Sequence, residues 1–420
     1  MAIIINSQPA ERALVYNDNT WSLASSIGTL TDFRYHIRLF KSPLSATPTI
    51  HGDFYIYPRQ EQLGKTYFDP KQILESLLGY DIDIPSSGHT AFFANDNSHS
   101  EYLIRIAEET RATDNQWVEQ SFILTDEKSV INGGIQHRDW LDFNVADYEV
   151  SIGVTDTKFL TDGPSTRYQN STDSSWLYFI STENGAPTHL TVKSYDATNT
   201  LLSTETLENP HSSAISGNPT LGRKHQYARV VTGREDINST SSSYKSTINV
   251  VHADSTHYTV QLRGASGMQS ELITYYLDEQ CSKYETIRLH WANQWGGFDS
   301  FNFILKSRED TDIKRSQFVQ QHHTWNDGDW SYTKASRGMK DYAVNYGERL
   351  ILNTDHITEE EAVWLKQLFL SPEVYQEIGS DLVAVNVKRK QYTKKTTIND
   401  KLKQYDIELD YGLKEHRQRG

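Results

Sequence analysis

The most suggestive chemical cluster in the sequence is a pair of adjacent histidines followed by two aspartates. His322 and His323 stand just before Asp327 and Asp329, and imidazole and carboxylate groups are ligands for divalent ions. Adjacent side chains on a strand point to opposite faces, however, and the spacing matches no metal motif. We therefore predict no metal site here, and interpret the segment as an exposed loop in which its two tryptophans are packed.

No other residue pattern indicates catalysis. The one cysteine, Cys281, has acidic neighbours, which disfavour the reactive thiolate. The Gly-Gly pairs at 133–134 and 296–297 lack the helix and lysine of a phosphate-binding loop. Carboxylate pairs for glycoside hydrolysis arise by chance among 55 acidic residues. We predict that the protein is not an enzyme, with no catalytic residue and no cofactor; a glycan hydrolase is a minor alternative.

Composition excludes several classes of protein. The chain has 420 residues and a formal charge of −14, which argues against general DNA coating. A single cysteine excludes a disulfide framework. There is no apolar run long enough for a membrane span, and the apolar start is too short for a signal peptide. Aromatic residues make up 11% of the chain, which argues against disorder. We expect a soluble protein with no membrane partner and no specific nucleic-acid partner.

Local patterns predict mostly strands. Alternation over 33–40 is typical of a half-buried strand, and the apolar run 176–180 of a strand buried on both faces. Residues 190–195 and 201–207 lie on either side of 196–199, which is predicted to be a four-residue hairpin loop. A short helix is expected over 68–79, with Asp69 as its N-cap.

The clearest helix signal lies near the C-terminus. Thr358 and Glu361 form a capping box, and Ile357 and Ala362 a hydrophobic staple, so we predict a helix over 358–370. Ser371 and the proline after it predict the start of a second short helix.

The fold class is therefore mainly β, with two or three β-sandwich-like domains and a few short helices. We expect an N-terminal β domain over 1–150 with the helix 68–79, and a Ser/Thr-rich β-sandwich over 151–265. The third domain, 266–420, is expected to be a β-sandwich with the capped helix 358–370.

Charge is unevenly distributed along the chain. Residues 381–420 hold ten basic and six acidic residues, a net +4, so the other 380 residues carry −18. Such a division suits head-to-tail contact between copies or with a partner. A lysine-protected hairpin edge explains it equally well. The candidate assembly contacts are Lys388, Arg389, Lys390, Lys394 and Lys395.

A distinctive motif lies at 286–303. It includes Trp291, Asn293, Trp295, Gly296, Gly297, Phe298 and Asp299. The glycines permit a positive φ or a close backbone approach, as a hairpin turn over a tryptophan-rich core would need. The segment resembles a W-x-N-x-x-GGFDSFNF pattern of structural proteins of tailed bacteriophages. Shorter segments such as 67–74, 139–144, 159–164 and 370–375 are similar to the same proteins.

The resemblance implies a virion component of the tail or neck, synthesised in the host cytoplasm. The C-terminal third also looks like the β-sandwich-with-helix block of tail-tube and distal-tail proteins. A non-enzymatic ring or adaptor near the distal tail or baseplate, linking tube and fibres, is the function it implies, with further copies of the chain and other tail proteins as partners. The alternative is a carbohydrate-binding module of a tail fibre that recognises a host surface glycan.

Overall fold

The protein is described by a computed structural model. The described residues are 3–27, 32–42, 49–58, 64–140, 143–182, 185–212, 226–278, 283–321, 323–331, 333–335, 338–388 and 404–412.

The chain forms two compact units. The first contains residues 1–279 and 292–299, and the second residues 280–291 and 300–420. The chain therefore leaves the second unit after Trp291, contributes eight residues to the first, and returns at Ser300. The described elements confirm the mainly β fold class.

The strands before residue 280 are β1 (Ile3–Ser7), β2 (Arg12–Leu14), β3 (Trp21–Ser25), β4 (Phe33–Lys41), β5 (Ile50–Ile56), β6 (Thr66–Phe68), β7 (Phe92–Ala94), β8 (His99–Arg111), β9 (Trp117–Leu124), β10 (Lys128–Ile131), β11 (Glu149–Val150), β12 (Thr166–Gln169), β13 (Trp176–Ser181), β14 (His189–Tyr195), β15 (Leu201–Glu208), β16 (Tyr227–Val231), β17 (His257–Gly264), β18 (Gly267–Met268) and β19 (Ile273–Leu277). The later strands are β20 (Ile287–Ala292), β21 (Phe298–Phe303), β22 (Arg308–Val319), β23 (Thr324–Asn326), β24 (Asp329–Ser331), β25 (Met339–Asn353), β26 (Val374–Ile378), β27 (Asp381–Val387) and β28 (Asp406–Tyr411).

Two sheets build the first core of unit 1. Sheet A has the order β1-β3-β6, and sheet B the order β2-β10-β8-β4-β5, with β9 paired to β8. The predicted alternation over 33–40 is confirmed, because Tyr35, Ile37 and Leu39 are buried in this core beside Trp21 of sheet A. The other face of sheet B carries charged side chains. His36 lies there between carboxylates, 2.8 Å from Glu109 and 2.5 Å from an oxygen of Asp53.

Two further sheets share a second core in unit 1. Sheet C has the order β11-β13-β16-β7, and sheet D the order β12-β19-β17-β14-β15, with β18 paired to β17. Leu177 and Phe179 of sheet C pack with Val192 and Val260 of sheet D. The run 176–180 is buried throughout, as predicted. The 190–207 hairpin is confirmed, but its loop has five residues, 196–200, and not the predicted four; Asn199 lies in it at φ 60°.

The structure differs from the predicted boundary near residue 150. Strand β7 comes from within residues 1–150, yet its Phe92 pairs with Val230 and is buried in the second core. Residues on both sides of 150 therefore build one compact unit. The pairing joins strands more than a hundred residues apart, which no local pattern could indicate.

Four short α-helices or single helical turns occur in the described chain: α1 (Lys71–Ser76), α2 (His137–Trp140), α3 (Arg234–Ser239) and α4 (Glu359–Leu370), with 3₁₀ turns at Val145–Tyr148 and Ser242–Tyr244. The predicted helix over 68–79 is thus only six residues long. Asp69 accepts a hydrogen bond from the amide of Lys71 at 2.9 Å, but Phe68 belongs to β6 and Pro70 is the N-cap.

Unit 2 is built on sheet E, whose order is β21-β20-β26-β27-β28-β25-β22. Helix α4 covers one face of the sheet. There, the ring centroids of Trp364 and Trp291 are 5.2 Å apart. The capping box is confirmed: Thr358 Oγ1 accepts from the amide of Glu361, whose carboxylate accepts from the amide of Thr358. The second helix predicted after Ser371 is wrong, because strand β26 begins at Val374 and pairs with β20 and β27.

Candidate assembly surfaces

The sequence motif at 291–299 forms a closed turn between β20 and β21. Asn293 organises it: its side-chain oxygen accepts from the amides of Trp295 at 3.0 Å and Gly297 at 3.1 Å. Its amide nitrogen donates to the carbonyl of Leu160 at 3.0 Å and to Asp299 at 3.2 Å. A side chain with both a donor and an acceptor is required at this position.

The two glycines of the motif make close approaches that a Cβ would prevent. Gly296 has φ +79°, and a Cβ built on it would lie 2.5 Å from the carbonyl oxygen of Asn132. A Cβ on Gly297 would lie 2.6 Å from the ring of Tyr178. The positive φ and the close backbone approach predicted for this pair are both present.

Aromatic rings and acidic groups hold the rest of the turn in unit 1. Trp295 packs 4.5 Å from Tyr148, and its Nε1 donates to Asp162 at 3.2 Å. Burial and the nearby Asp162 raise the pKa of Tyr148 to about 12. Asp299 accepts from the hydroxyl of Thr161 at 2.7 Å.

All seven motif residues are therefore positioned by structural contacts. Trp291 is buried in the core of unit 2, and Phe298 is buried near Tyr80 in unit 1. Their chemistry is that of packing and turn closure. The motif therefore stabilises the fold, and its residues do not form a partner-binding surface.

A long β-hairpin with a mostly exposed first strand lies in the described part of unit 2. Strands β22 and β25 pair from Arg308 with Ile351 to Val319 with Met339, but β28 pairs with β25 only from Arg349 onward. We call the two-stranded part, Ile313–Val319 with Met339–Tyr346, the arm. Seven residues at about 3.4 Å each give it a length of roughly 24 Å.

Apolar side chains are exposed along this arm. Ile313, Phe318 and Met339 are all exposed, and Val319 is 80% exposed. Beyond it, β23 and β24 form a small hairpin in which Trp325 pairs with Trp330. These tryptophans are 65% and 49% exposed, so the packed loop predicted for this segment is not what the structure shows.

A groove of about 880 Å³ lies in unit 2 at the base of the arm. Three cations, Lys314, Arg349 and Lys388, and three carboxylates, among them Asp312 and Asp410, line it. Arg349 contacts Asp312 at 3.1 Å and Lys388 contacts Asp410 at 2.5 Å. Burial of Tyr411 in this groove, with nearby carboxylates, raises its pKa.

Lys388 is the one candidate assembly contact that the structure describes. Its ion pair with Asp410 balances its charge within the groove. Arg389, Lys390, Lys394 and Lys395 lie outside the described residues, as do Cys281 and His322. Among the residues that are described, no group of three or more His, Cys, Asp or Glu side chains could hold a metal ion.

Sequence reasoning missed the arm. Residues 308–319 are mostly polar, because both faces of the arm are exposed and neither produces an apolar alternation. The Asp327-Gly328 pair was a signal only for the small hairpin of β23 and β24 beyond the arm. Both residues have positive φ in the tight turn between β23 and β24, where Asp-Gly is favoured.

Comparison with protein-family models and with curated proteins gives no match. Within the described chain, every helix is too short or too polar to traverse a bilayer.

Proposed function

We propose that the chain is a non-enzymatic structural protein of a tailed-bacteriophage particle. It assembles with further copies of itself and with other tail proteins, as a ring or adaptor near the distal tail or baseplate that links tube and fibres. The arm is the observation that carries this proposal. The motif resemblance supplies the phage context.

The arm supports assembly on energetic grounds. A two-stranded hairpin alone in water is marginally stable, because it buries little apolar surface. Here the hairpin also exposes Phe318, Val319 and Met339 at its far end and Ile313 nearer the sheet. Exposed apolar patches mark protein interaction sites. Contact with a partner would bury them and stabilise the arm at the same time.

The edge of sheet E supports the same proposal. Strand β22 is the last strand at one end of this sheet and β21 at the other, among the described strands. Exposed edge strands are templates for pairing with another chain. Two different edges on one subunit favour a head-to-tail contact, which closes into a ring when the rotation between copies allows it.

Location in the particle tests the proposal. Antibodies raised against the purified full-length chain should label intact particles at the distal end of the tail in immunogold imaging. Label confined to the capsid would contradict a distal-tail adaptor. So would the absence of label on intact particles when the antibodies do detect the chain among the denatured proteins of the same particles. Turnover of a polysaccharide by the purified chain would contradict the non-enzymatic role.

A further inference from the structure

Sheet D carries a row of four stacked rings on the face opposite its core. Tyr168 stacks on Tyr276 with centroids 5.6 Å apart, Tyr276 on His257 at 4.9 Å, and His257 on Tyr195 at 5.1 Å. The interplanar angles are 27°, 20° and 6°. We call these four residues the ring row.

The strand register produces this row. Tyr168 pairs with Tyr276, Tyr276 with His257, and His257 with Tyr195, so the four residues lie directly opposite one another on β12, β19, β17 and β14. Alternation along the strands sends their neighbours Tyr258 and Tyr275 into the core. The row is thus an ordered feature of the sheet and crosses its strands.

A second row of hydroxyl groups runs parallel to the rings. Two residues away on each strand, Thr166, Thr274 and Thr259 lie opposite one another, followed by Lys193 and Thr204. Neighbouring strands are about 4.8 Å apart, so the adjacent residues Thr166 and Thr274 are separated by about that distance. His257 and Thr259 are themselves buried, so the accessible groups of the face are the rings of Tyr168, Tyr276 and Tyr195 and the hydroxyls of Thr166, Thr274 and Thr204.

The rings leave groups available to a ligand. Tyr168 is 62% exposed, and β12 is the outermost strand of sheet D, so the ring face that is not against Tyr276 lies at the sheet edge. None of the described residues hydrogen-bonds to the phenol hydroxyls of Tyr168, Tyr195 or Tyr276. Burial lowers the pKa of His257, although Asp196 opposes the effect, which favours the neutral imidazole near pH 7.

The two rows of sheet D differ from the outer face of sheet B in their content of charged side chains. There, Arg34 and Arg105 form ion pairs with Glu109 and Glu119 at 2.6 Å. In the two rows of sheet D, Lys193 is the one side chain with a permanent charge. A charged macromolecule finds little complementarity on these rows, whereas a neutral, hydroxyl-rich ligand matches both of them.

We propose that the outer face of sheet D binds a neutral, extended polysaccharide. The C–H face of a sugar is apolar with slightly positive hydrogens, so it stacks on the negative face of an aromatic ring such as Tyr168. The sugar hydroxyls then exchange hydrogen bonds with the phenol edges and the threonine row. The proposal is independent of the assembly role, since one copy of sheet D contains the whole surface.

Affinity electrophoresis of the full-length chain tests the proposal. The probes are native gels containing laminarin, xylan or galactomannan, with anionic alginate as the charged comparison. Retardation by at least one neutral polysaccharide, and weaker or no retardation by alginate, is expected. Tyr168→Ala should raise the dissociation constant about tenfold, because one stacking contact is lost. Thr274→Val, which removes a hydroxyl with little change of shape, should weaken binding several-fold.

Tyr67→Ala is the matched control. Tyr67 is an equally exposed tyrosine on β6 of sheet A, away from both rows, and its loss should leave binding unchanged. Circular dichroism checks that each variant is folded. Unchanged mobility in all three neutral gels overturns the proposal. So does Tyr168→Ala binding like the unmodified chain, or Tyr67→Ala losing as much affinity.

Discussion

Replacing Gly296 by alanine tests the structural role of the motif turn. At φ +79° an alanine pays the left-handed backbone cost of about 1–2 kcal/mol. Its Cβ also meets the Asn132 carbonyl oxygen at 2.5 Å, which is backbone and cannot rotate away. Overpacking of this kind costs about 1–3 kcal/mol. We therefore expect Gly296→Ala to lower the free energy of unfolding of unit 1 by about 3 kcal/mol.

Gly153→Ala is the matched control for the backbone term. Gly153 has φ +84° in the same unit, and a Cβ there would meet nothing within 4 Å. Urea denaturation followed by tryptophan fluorescence gives both values. The control should lose only about 1–2 kcal/mol. Equal losses in the two variants would refute the close approach of the turn to Asn132.

Two further predictions concern the contributions of single side chains, His99 and Thr358, to the free energy of unfolding. Burial, with a smaller contribution from Arg12 and Lys41, lowers the pKa of His99 to about 4. An unfolded histidine takes up its proton near pH 6.5, so stability should fall as the pH drops from about 6.5 to 4, by about 2–3 kcal/mol. In His99→Gln, urea denaturation at pH 7 and 4.5 should show a smaller difference, and an unchanged difference would contradict the assignment. Thr358→Ala removes the capping box of α4 and should lower the stability of unit 2 by about 1 kcal/mol in the same assay, whereas no loss would contradict its capping role.

Local structure could be predicted from the sequence where one residue pattern determines it. The capping box at Thr358, the hairpin of β14 and β15 and the positive φ of Gly296 all depend on neighbours within a few residues. The two rows on the outer face of sheet D could not be predicted, because they require the register of four strands. Tyr168 and Tyr195 come into one row only through pairings with β17 and β19.

The candidate assembly surfaces were only partly predictable for the same reason. A net charge of +4 indicated a basic contact near the C-terminus, yet the described Lys388 is paired with Asp410. The ion pair depends on the register between β27 and β28, which cannot be deduced from composition. The arm was not predicted, because an element exposed on both faces lacks apolar periodicity.

The mass of the purified full-length chain in solution tests the assembly role most directly. Multi-angle light scattering at micromolar concentration should give a closed oligomer, an integral multiple of the 48.2 kDa chain. Val319→Asp, on the arm at 80% exposure, should shift the mass to one chain. Ile248→Asp, on unit 1 at 83% exposure, should leave the oligomer intact. A monomer at every concentration, or an oligomer indifferent to Val319→Asp, would contradict assembly through the arm.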